Sequence, residues 1–385
     1  MGGFGGEGAR PTWAEIDLDA LAANFRAVRE RVGPGVRVMC VLKADAYGHG
    51  APGCARRLAA EGAEWFGVAT PEEGAGLRRA GLSQSILCFG GCWEGQEALC
   101  LRQKLTPVVY RLDAAEALDR AAGAAGAVAD VHVKIDTGMG RLGVRHEAAA
   151  EFARRLRALS NVRVEGLMTH FAAADEPARD CFTEEQLARF RGAQAAFREA
   201  GHRPVYEHMA NSAATFAHPS ARGNMVRPGG VLYGLWRDVL PPLGERPPLR
   251  PVMALRTRIV LLKRVRRGET LGYGCTFEAA RDMLVATVPA GYADGYARAL
   301  SNRGRVIVGG VYAAVVGRVS MDLTLIDVTD VPGVASGGLV TMLGADGGLA
   351  VPAEDVARTA GTLSYEITCG ISARVPRRFV PQAQD

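Results

Sequence analysis

Val36-Arg37-Val38-Met39-Cys40-Val41-Leu42-Lys43-Ala44-Asp45-Ala46-Tyr47-Gly48-His49-Gly50 is an apolar run closed by one lysine, then a glycine-rich turn. The run reads as a buried strand, and a helix is expected after the turn. A charged amine at the mouth of a buried strand is costly. Partial desolvation lowers its proton affinity and equips it to condense with an aldehyde. A lone lysine past a strand end is otherwise a surface residue, so the reading depends on the rest of the chain.

Moving outward, Asp17–Val32 reads as a helix, with Leu18, Leu21, Ala22, Phe25, Val28 and Val32 at helical spacing. Eight β-like runs then alternate with helical stretches. They are Val36–Lys43, Trp65–Thr70, Ser85–Phe89, Leu105–Tyr110, Asp130–Asp136, Val162–His170, Pro204–Asn211 and Asn224–Arg227. Amphipathic segments between them include Pro71–Ala80, Ala114–Ala122, His146–Ser160 and Phe182–Ala200. Eight βα alternations predict an α/β fold of the TIM (β/α)8 barrel type over 12–240. No GxGxxG turn follows the first strand, which argues against a dinucleotide-binding open sheet. The proline-dense stretch 241–251 reads as a linker, because proline continues neither helix nor strand. Beyond it the texture changes. Val252–Val265, Leu284–Pro289, Arg305–Val308, Tyr312–Val319, Leu323–Val328 and Leu339–Leu343 read as strands, and Val351–Leu363 as a helix. A mainly β C-terminal domain is expected over 252–385, and residues 1–11 are expected to be a disordered, glycine-rich lead-in.

Composition narrows the function classes. The chain of 385 residues carries 46 basic and 41 acidic side chains, a net charge of +5, and the basic residues are dispersed. Runs such as Arg264-Val265-Arg266-Arg267 are too short for a nucleic-acid stripe. No apolar run is long enough for a membrane span, and the N-terminal residues lack a signal-peptide core. The eight cysteines follow neither zinc-site spacing nor a secreted disulfide framework. Reduced thiols in a cytoplasmic protein without a metal are expected.

Barrels of this kind carry reactive side chains at the C-terminal ends of their strands. Those ends, in order, present Lys43, Lys134 with Asp136, His170, Asn211-Ser212 and Arg227. Each taken alone reads as structural; together they line one rim. Ser212 before a short helix and Gly229-Gly230 after the last strand stand where such barrels bind phosphate. A reactive lysine plus a phosphate site points to pyridoxal 5′-phosphate (PLP), which needs an amine for its aldehyde and an anion site for its phosphate.

The chain resembles the PLP-dependent alanine racemases from about Thr12 to Val380. The matching motifs are Val41–Gly50, Lys134–Gly143, Gly166–Ala172, Asn211-Ser212, Val226–Gly234, Gly272–Phe277, Gly291–Tyr296 and Gly317–Asp322. The resemblance implies a barrel plus a β domain in a head-to-tail homodimer, with L- and D-alanine as substrates and D-alanine supplied for peptidoglycan. It implies that Lys43 holds PLP and is the base on one face, and that Tyr273, supplied in trans, is the base on the other. Tyr47, Ser212, Tyr365 and the backbone of Gly229 and Gly230 would hold the phosphate. Arg227 would face the pyridine nitrogen, with His170 nearby and Asn211 in the cofactor set. Arg141 and the backbone of Met321, also in trans, would receive the substrate carboxylate. Lys134 matches a lysine that becomes carbamylated and orients Arg141, and Tyr292 and Tyr365 match the gate. Glycine at 230 departs from the aliphatic residue usual there.

Other classes remain to be weighed. A PLP-dependent decarboxylase would be expected to set an acidic residue, not Arg227, against the ring nitrogen. A single-barrel PLP-handling protein would lack the β domain. Racemases acting on serine, lysine or a broad substrate range share most of the machinery.

Overall fold

The computed structural model describes residues 10–242 and 244–380. The expected lead-in lies largely in 1–9, outside those residues; Arg10 is described and pairs with Asp294 at 2.5 Å.

Eight parallel strands form a nearly closed barrel: β2 (Arg37–Val41), β3 (Trp65–Val68), β4 (Ser85–Cys88), β5 (Thr106–Val109), β6 (Ala129–Asp136), β8 (Val162–Met168), β9 (Tyr206–His208) and β10 (Met225–Val226), in the order β10-β2-β3-β4-β5-β6-β8-β9. A two-residue strand, β7 (Val144–Arg145), adds to β6. All eight correspond to runs expected from the sequence; seven are shorter than expected, and β6 begins one residue earlier, at Ala129. Between β9 and β10 side chains carry part of the closure: Asn224 accepts from Glu207 N at 2.8 Å and donates to Val205 O at 2.7 Å. The barrel interior is apolar where Met39, Trp65, Leu87, Val108, Met168 and Met225 meet. Outside, helices such as Leu18–Val32, Pro71–Arg79, Leu112–Ala124 and Asp180–Glu199 bury one face each. Asp17 caps the first of these through Ala20 N at 2.7 Å, and Thr70 caps the second.

The C-terminal domain is mainly β. Its strands are β11 (Met253–Arg258), β12 (Leu261–Val265), β13 (Thr270–Leu271), β14 (Phe277–Glu278), β15 (Met283–Val288), β16 (Arg305–Val308), β17 (Val311–Ala314), β18 (Thr324–Asp327), β19 (Leu339–Asp346), β20 (Leu349–Val351) and β21 (Arg377–Val380). Pro241–Pro251 carries no helix or strand among its described residues.

One boundary expected from the sequence is corrected. Thr12–Asp17, assigned to the barrel, is β1 of the C-terminal sheet, whose order is β17-β16-β19-β11-β1-β21. It pairs antiparallel with β11 (Thr12↔Thr257) and parallel with β21 (Ala14↔Arg377). The chain therefore starts in one domain, crosses to build the barrel, and returns. Val252–Val265, expected as one strand, divides into β11 and β12, which join different sheets. Among the described residues no helix is long and apolar enough to cross a membrane, and no cluster of His, Cys, Asp or Glu is placed to hold a metal.

Candidate active site

The strand ends converge on a cavity of about 540 Å³ lined by Lys43, Tyr47, Lys134, Arg141, His170, Asn211, Ser212, Arg227, Gly229 and Tyr365. Lys43 lies two residues past the end of β2, after Leu42, and its position is fixed from three sides. Leu42 N donates to Gly67 O at 2.7 Å, Val41 N to Pro228 O at 3.1 Å, and the Tyr233 hydroxyl to Val41 O at 2.8 Å. The next four residues, Ala44 to Tyr47, all have positive φ, between 52° and 56°. This single left-handed turn is rare for L-residues. It is clamped by Glu73, whose two carboxylate oxygens accept from Ala44 N and Ala69 N at 2.7 Å each. Asp45 Oδ1 accepts from Ala51 N at 2.7 Å, and Arg377 Nε donates to Gly48 O at 3.0 Å.

Burial, then the Arg141 charge, pulls the Lys43 ammonium below its ordinary range. Lys134 is almost fully buried, and burial with Arg141 and Arg227 takes it down to about 8. Arg227 is buried and carries four near neighbours of the right polarity. Its guanidinium donates to Thr169 O (2.7 Å), Met209 O (2.9 Å), His208 O (2.8 Å) and His208 Nδ1 (2.8 Å). Burial lowers it to about 9, still above neutrality, so it remains a cation. His170 Nδ1 lies 3.4 Å from Arg227, and burial plus that charge hold the imidazole neutral.

On the opposite wall the Ser212 hydroxyl accepts from Gly229 N at 2.9 Å. A Cβ at 229 would run into the Tyr47 hydroxyl, and one at 230 would stand 2.7 Å from the Tyr365 hydroxyl. Two phenols, one serine hydroxyl and a loop backbone therefore meet at one spot. With a Cβ at either position, the phenol facing it would have to shift. Tyr365 is aimed by Asp238, which accepts from both Ser364 N and Ser364 Oγ at 2.8 Å. Asn211 lines the cavity, but its Oδ1 is committed to Ala214 N at the start of Ser212–Ala217.

Three expected site residues lie elsewhere in the chain. Tyr273, Met321 and Tyr292 are on the C-terminal domain, outside the cavity lining, with exposures of 71%, 52% and 42%. Tyr292 N donates to Ser320 O and Ala293 N to Met321 O, so the last two share one loop cluster. Gly230 contributes its surface to Tyr365 rather than to the cavity lining. Sequence reasoning missed Glu73, Asp175, Asp238 and Cys369. Cys369 joins the cavity because Ser364–Cys369 is a helix, one turn beyond Tyr365, which lies past the helix expected to end at Leu363; the carboxylates carried no sequence signal.

Such a rim offers an amine suited to a carbonyl, a donor cradle suited to a phosphate, and a surplus of cations suited to a carboxylate. The fold and site define a two-domain protein, a barrel with a mainly β C-terminal domain, whose rim cavity gathers cations, hydroxyls and one partly desolvated lysine. The alanine racemase N-terminal domain family matches residues 16–236, and the alanine racemase C-terminal domain family matches 252–379. The alanine racemase of Geobacter sulfurreducens is 46% identical over 97% of this chain and 98% of its own length. That of Halothermothrix orenii is 45% identical over 96% and 97%. Among solved structures, alanine racemase from D-cycloserine-producing Streptomyces lavendulae superposes with a TM-score of 0.90 at 38% identity, over 97% and 98% of the two chains. The Bacillus anthracis alanine racemase with bound L-Ala-P gives 0.90 at 33% identity, over 98% and 97%. The chain belongs to the alanine racemase family.

Proposed function

We propose that this protein interconverts L- and D-alanine with PLP as cofactor, by two bases on opposite faces of the substrate. The observation that carries the reading is one cavity holding Lys43, the donor cradle at Gly229, and the Lys134–Arg141 pair. The residues fit PLP. The hydroxyls of Ser212, Tyr47 and Tyr365 with the Gly229 and Gly230 backbone suit its phosphate, Lys43 suits its aldehyde, and Arg227 with His170 and Asn211 completes the cofactor set. Bound there, PLP supplies an electron sink that acidifies the substrate Cα–H bond.

The chain's own groups do the rest. Lys43 Nζ, with its proton affinity lowered by burial, takes or returns the Cα proton on one face. The second base, Tyr273 of the partner subunit, serves the other face. Exposure of Tyr273 and Met321 on this chain supports a head-to-tail homodimer in which both are lent in trans. Arg141 and the Met321 backbone of the partner subunit would hold the substrate carboxylate, and Tyr292 with Tyr365 would narrow the approach to small side chains. Arg227 would donate to the ring nitrogen while holding its own proton, which would keep the sink moderate and limit side reactions. An acidic partner at that place, as a decarboxylase would be expected to use, is replaced here by a buried guanidinium.

Lys134 as the free amine can attack CO2: the N–C bond forms and a proton leaves to water, giving a carbamate that pairs with Arg141. D-alanine made by this route would feed peptidoglycan precursors, and the free thiols fit a cytoplasmic setting.

Chiral analysis after incubating PLP-loaded protein separately with L-alanine, L-serine and L-lysine tests this. Fast D-alanine formation with little from the other two is expected. Preferred turnover of serine or lysine moves the protein to another racemase group. Absence of any D-isomer, with the lysine–PLP absorbance present, overturns the racemase reading.

A further inference from the structure

A chain of polar side chains runs through the barrel interior beneath Arg227. His208 Nδ1 lies 2.8 Å from Arg227 Nη1, and His208 Nε2 lies 2.7 Å from His132 Nδ1. His132 Nε2 then points to Glu165 Oε2 at 3.6 Å. Both imidazoles are fully buried, and His132 is packed between Trp65 and Tyr206 at ring separations of 5.4 and 5.7 Å. Glu165 lies toward the strand starts, where it lines a hollow with Ser85, Thr106 and Asp130. The chain therefore spans the barrel from its floor to the rim.

The backbone is shaped for it. The β6–β8 register shifts between Val131 and His132, which sets His132 opposite Gly166. A Cβ at 166 would stand 2.7 Å from the His132 ring, so only glycine lets the imidazole lie across β8.

We infer that Glu165 is a positioning residue for Arg227, acting from the barrel floor through His132 and His208 held in one tautomer each. The direction follows from donor inventory. A guanidinium only donates, so His208 Nδ1 must accept and its proton sits on Nε2. That proton goes to His132 Nδ1, which leaves the His132 proton on Nε2, facing a carboxylate that only accepts. The Arg227 end fixes this arrangement, because reversing either imidazole would set two N–H groups against each other in a dry interior, which is costly. At the other end His132 Nε2 is buried with no hydrogen-bond partner, and Glu165 Oε2, 3.6 Å away, faces it as a charge rather than as a bonded acceptor. That negative charge favours the His132 proton on Nε2 and polarises the two hydrogen bonds toward Arg227.

The functional half of this inference rests on reading Arg227 as the partner of the cofactor ring nitrogen; the hydrogen-bonded chain does not, and the two are separable. Imidazole and guanidinium 15N spectra of the full-length protein, with and without PLP, read the chain directly. Both His132 and His208 are expected as neutral Nε2–H forms in wild type. Glu165→Leu is expected to leave both tautomers in place, since the Arg227 end holds them, and to shift the His132 Nε2 and Arg227 guanidinium signals. It should lower alanine turnover roughly fivefold with KM within about twofold. Glu165→Gln, which keeps a polar oxygen beside His132, restores part of the signal positions and of the turnover. A wild-type His208 protonated on Nδ1 overturns the inference, and that spectrum decides even if the leucine variant does not fold. Unchanged His132 and Arg227 signals and turnover in a folded Glu165→Leu also overturn it. Wild-type protein with the expected tautomers but no racemisation would sink the functional reading and leave the chain standing.

Discussion

Lys134 shows how one side chain acquires its chemistry from its neighbours. An ordinary lysine titrates near ~10.5. Here burial, Arg141 and Arg227 take it to about 8, against a smaller upward pull from Asp136. Between those two values the unfolded chain binds a proton that the folded one lacks. The cost of the buried ammonium is therefore complete below about 8 and is relieved as pH rises toward the unfolded value, so stability from this group increases with pH across that window. The same shift leaves a usable fraction of free amine near neutrality. Protein equilibrated with 13C-bicarbonate is expected to show a carbamate carbon resonance that Lys134→Ala abolishes; a free ammonium in the wild type would remove that role. Gly230 is the other residue whose environment decides its effect. A Cβ there meets the Tyr365 ring at 2.7 Å, and the ring, half-buried, must swing away. Gly230→Ile is expected to weaken PLP binding roughly fivefold, about 1 kcal/mol, through a displaced phenol hydrogen bond. Absorbance titration of the apoprotein measures it, and unchanged affinity would show that Tyr365 is not a phosphate contact. Lys43, Lys134, Ser212, Arg227 and the glycines of this site were legible because each stands at or just beyond a predicted strand end, whereas Arg141 was named only by the family resemblance. Asp238 and Glu73 were not, because their work is to grip backbone from another element.

At the scale of elements, the left-handed turn Ala44–Tyr47 is the least expected feature. Two alanines and a tyrosine carry no propensity for positive φ and aspartate only a modest one, and a left-handed residue other than glycine costs roughly 1–2 kcal/mol. Local sequence favours another conformation; the clamps from Glu73, Asp45 and Arg377 impose this one. Its effect is to turn the chain sharply after Lys43 and bring Tyr47 back toward Gly229. Ala44→Val adds a branch at Cβ where φ is 52°, and is expected to destabilise the fold by about 1–2 kcal/mol in urea unfolding. Ala44→Gly should be neutral or slightly stabilising, since relief of strain offsets the added freedom of the unfolded chain. Equal stabilities of the two variants would argue that the turn is unstrained. The strands and longer helices were legible from periodicity, but their ends were less so: Tyr312–Val319 was expected where the strand is Val311–Ala314, and His146–Ser160 where the helix is Ala149–Arg157. Thr12–Asp17 was misplaced because its partners are distant in sequence: Thr12 faces Thr257 in β11, and Ala14 faces Arg377 in β21. Strand preference reports a half-buried pleated surface and not which sheet supplies it.

For the whole molecule, the cavity of one chain holds Lys43 but not Tyr273, so the proposed two-base site needs two chains. Complementation separates this from a site complete within one subunit. Lys43→Ala and Tyr273→Ala homodimers are each expected to be inactive. Unfolded together and refolded at equal ratio, half the dimers are mixed and each mixed dimer carries one intact site, so about a quarter of wild-type activity should return. No recovery, with mixed dimers present, would show that both groups act within a single chain.

The sequence by itself determined the barrel, the β domain, the linker, and the lysine, serine, arginine and glycine positions of the rim. Periodicity and turn chemistry are local, and reactive groups at strand ends inherit their place from the strands. The tertiary structure alone decided which sheet takes β1, that four L-residues adopt a left-handed turn, and that Lys134 lies near neutrality. It also decided that Glu165 reaches toward Arg227 through two histidines. Each of these depends on contacts between residues distant in sequence, where burial, charge and hydrogen bonding outweigh local preference.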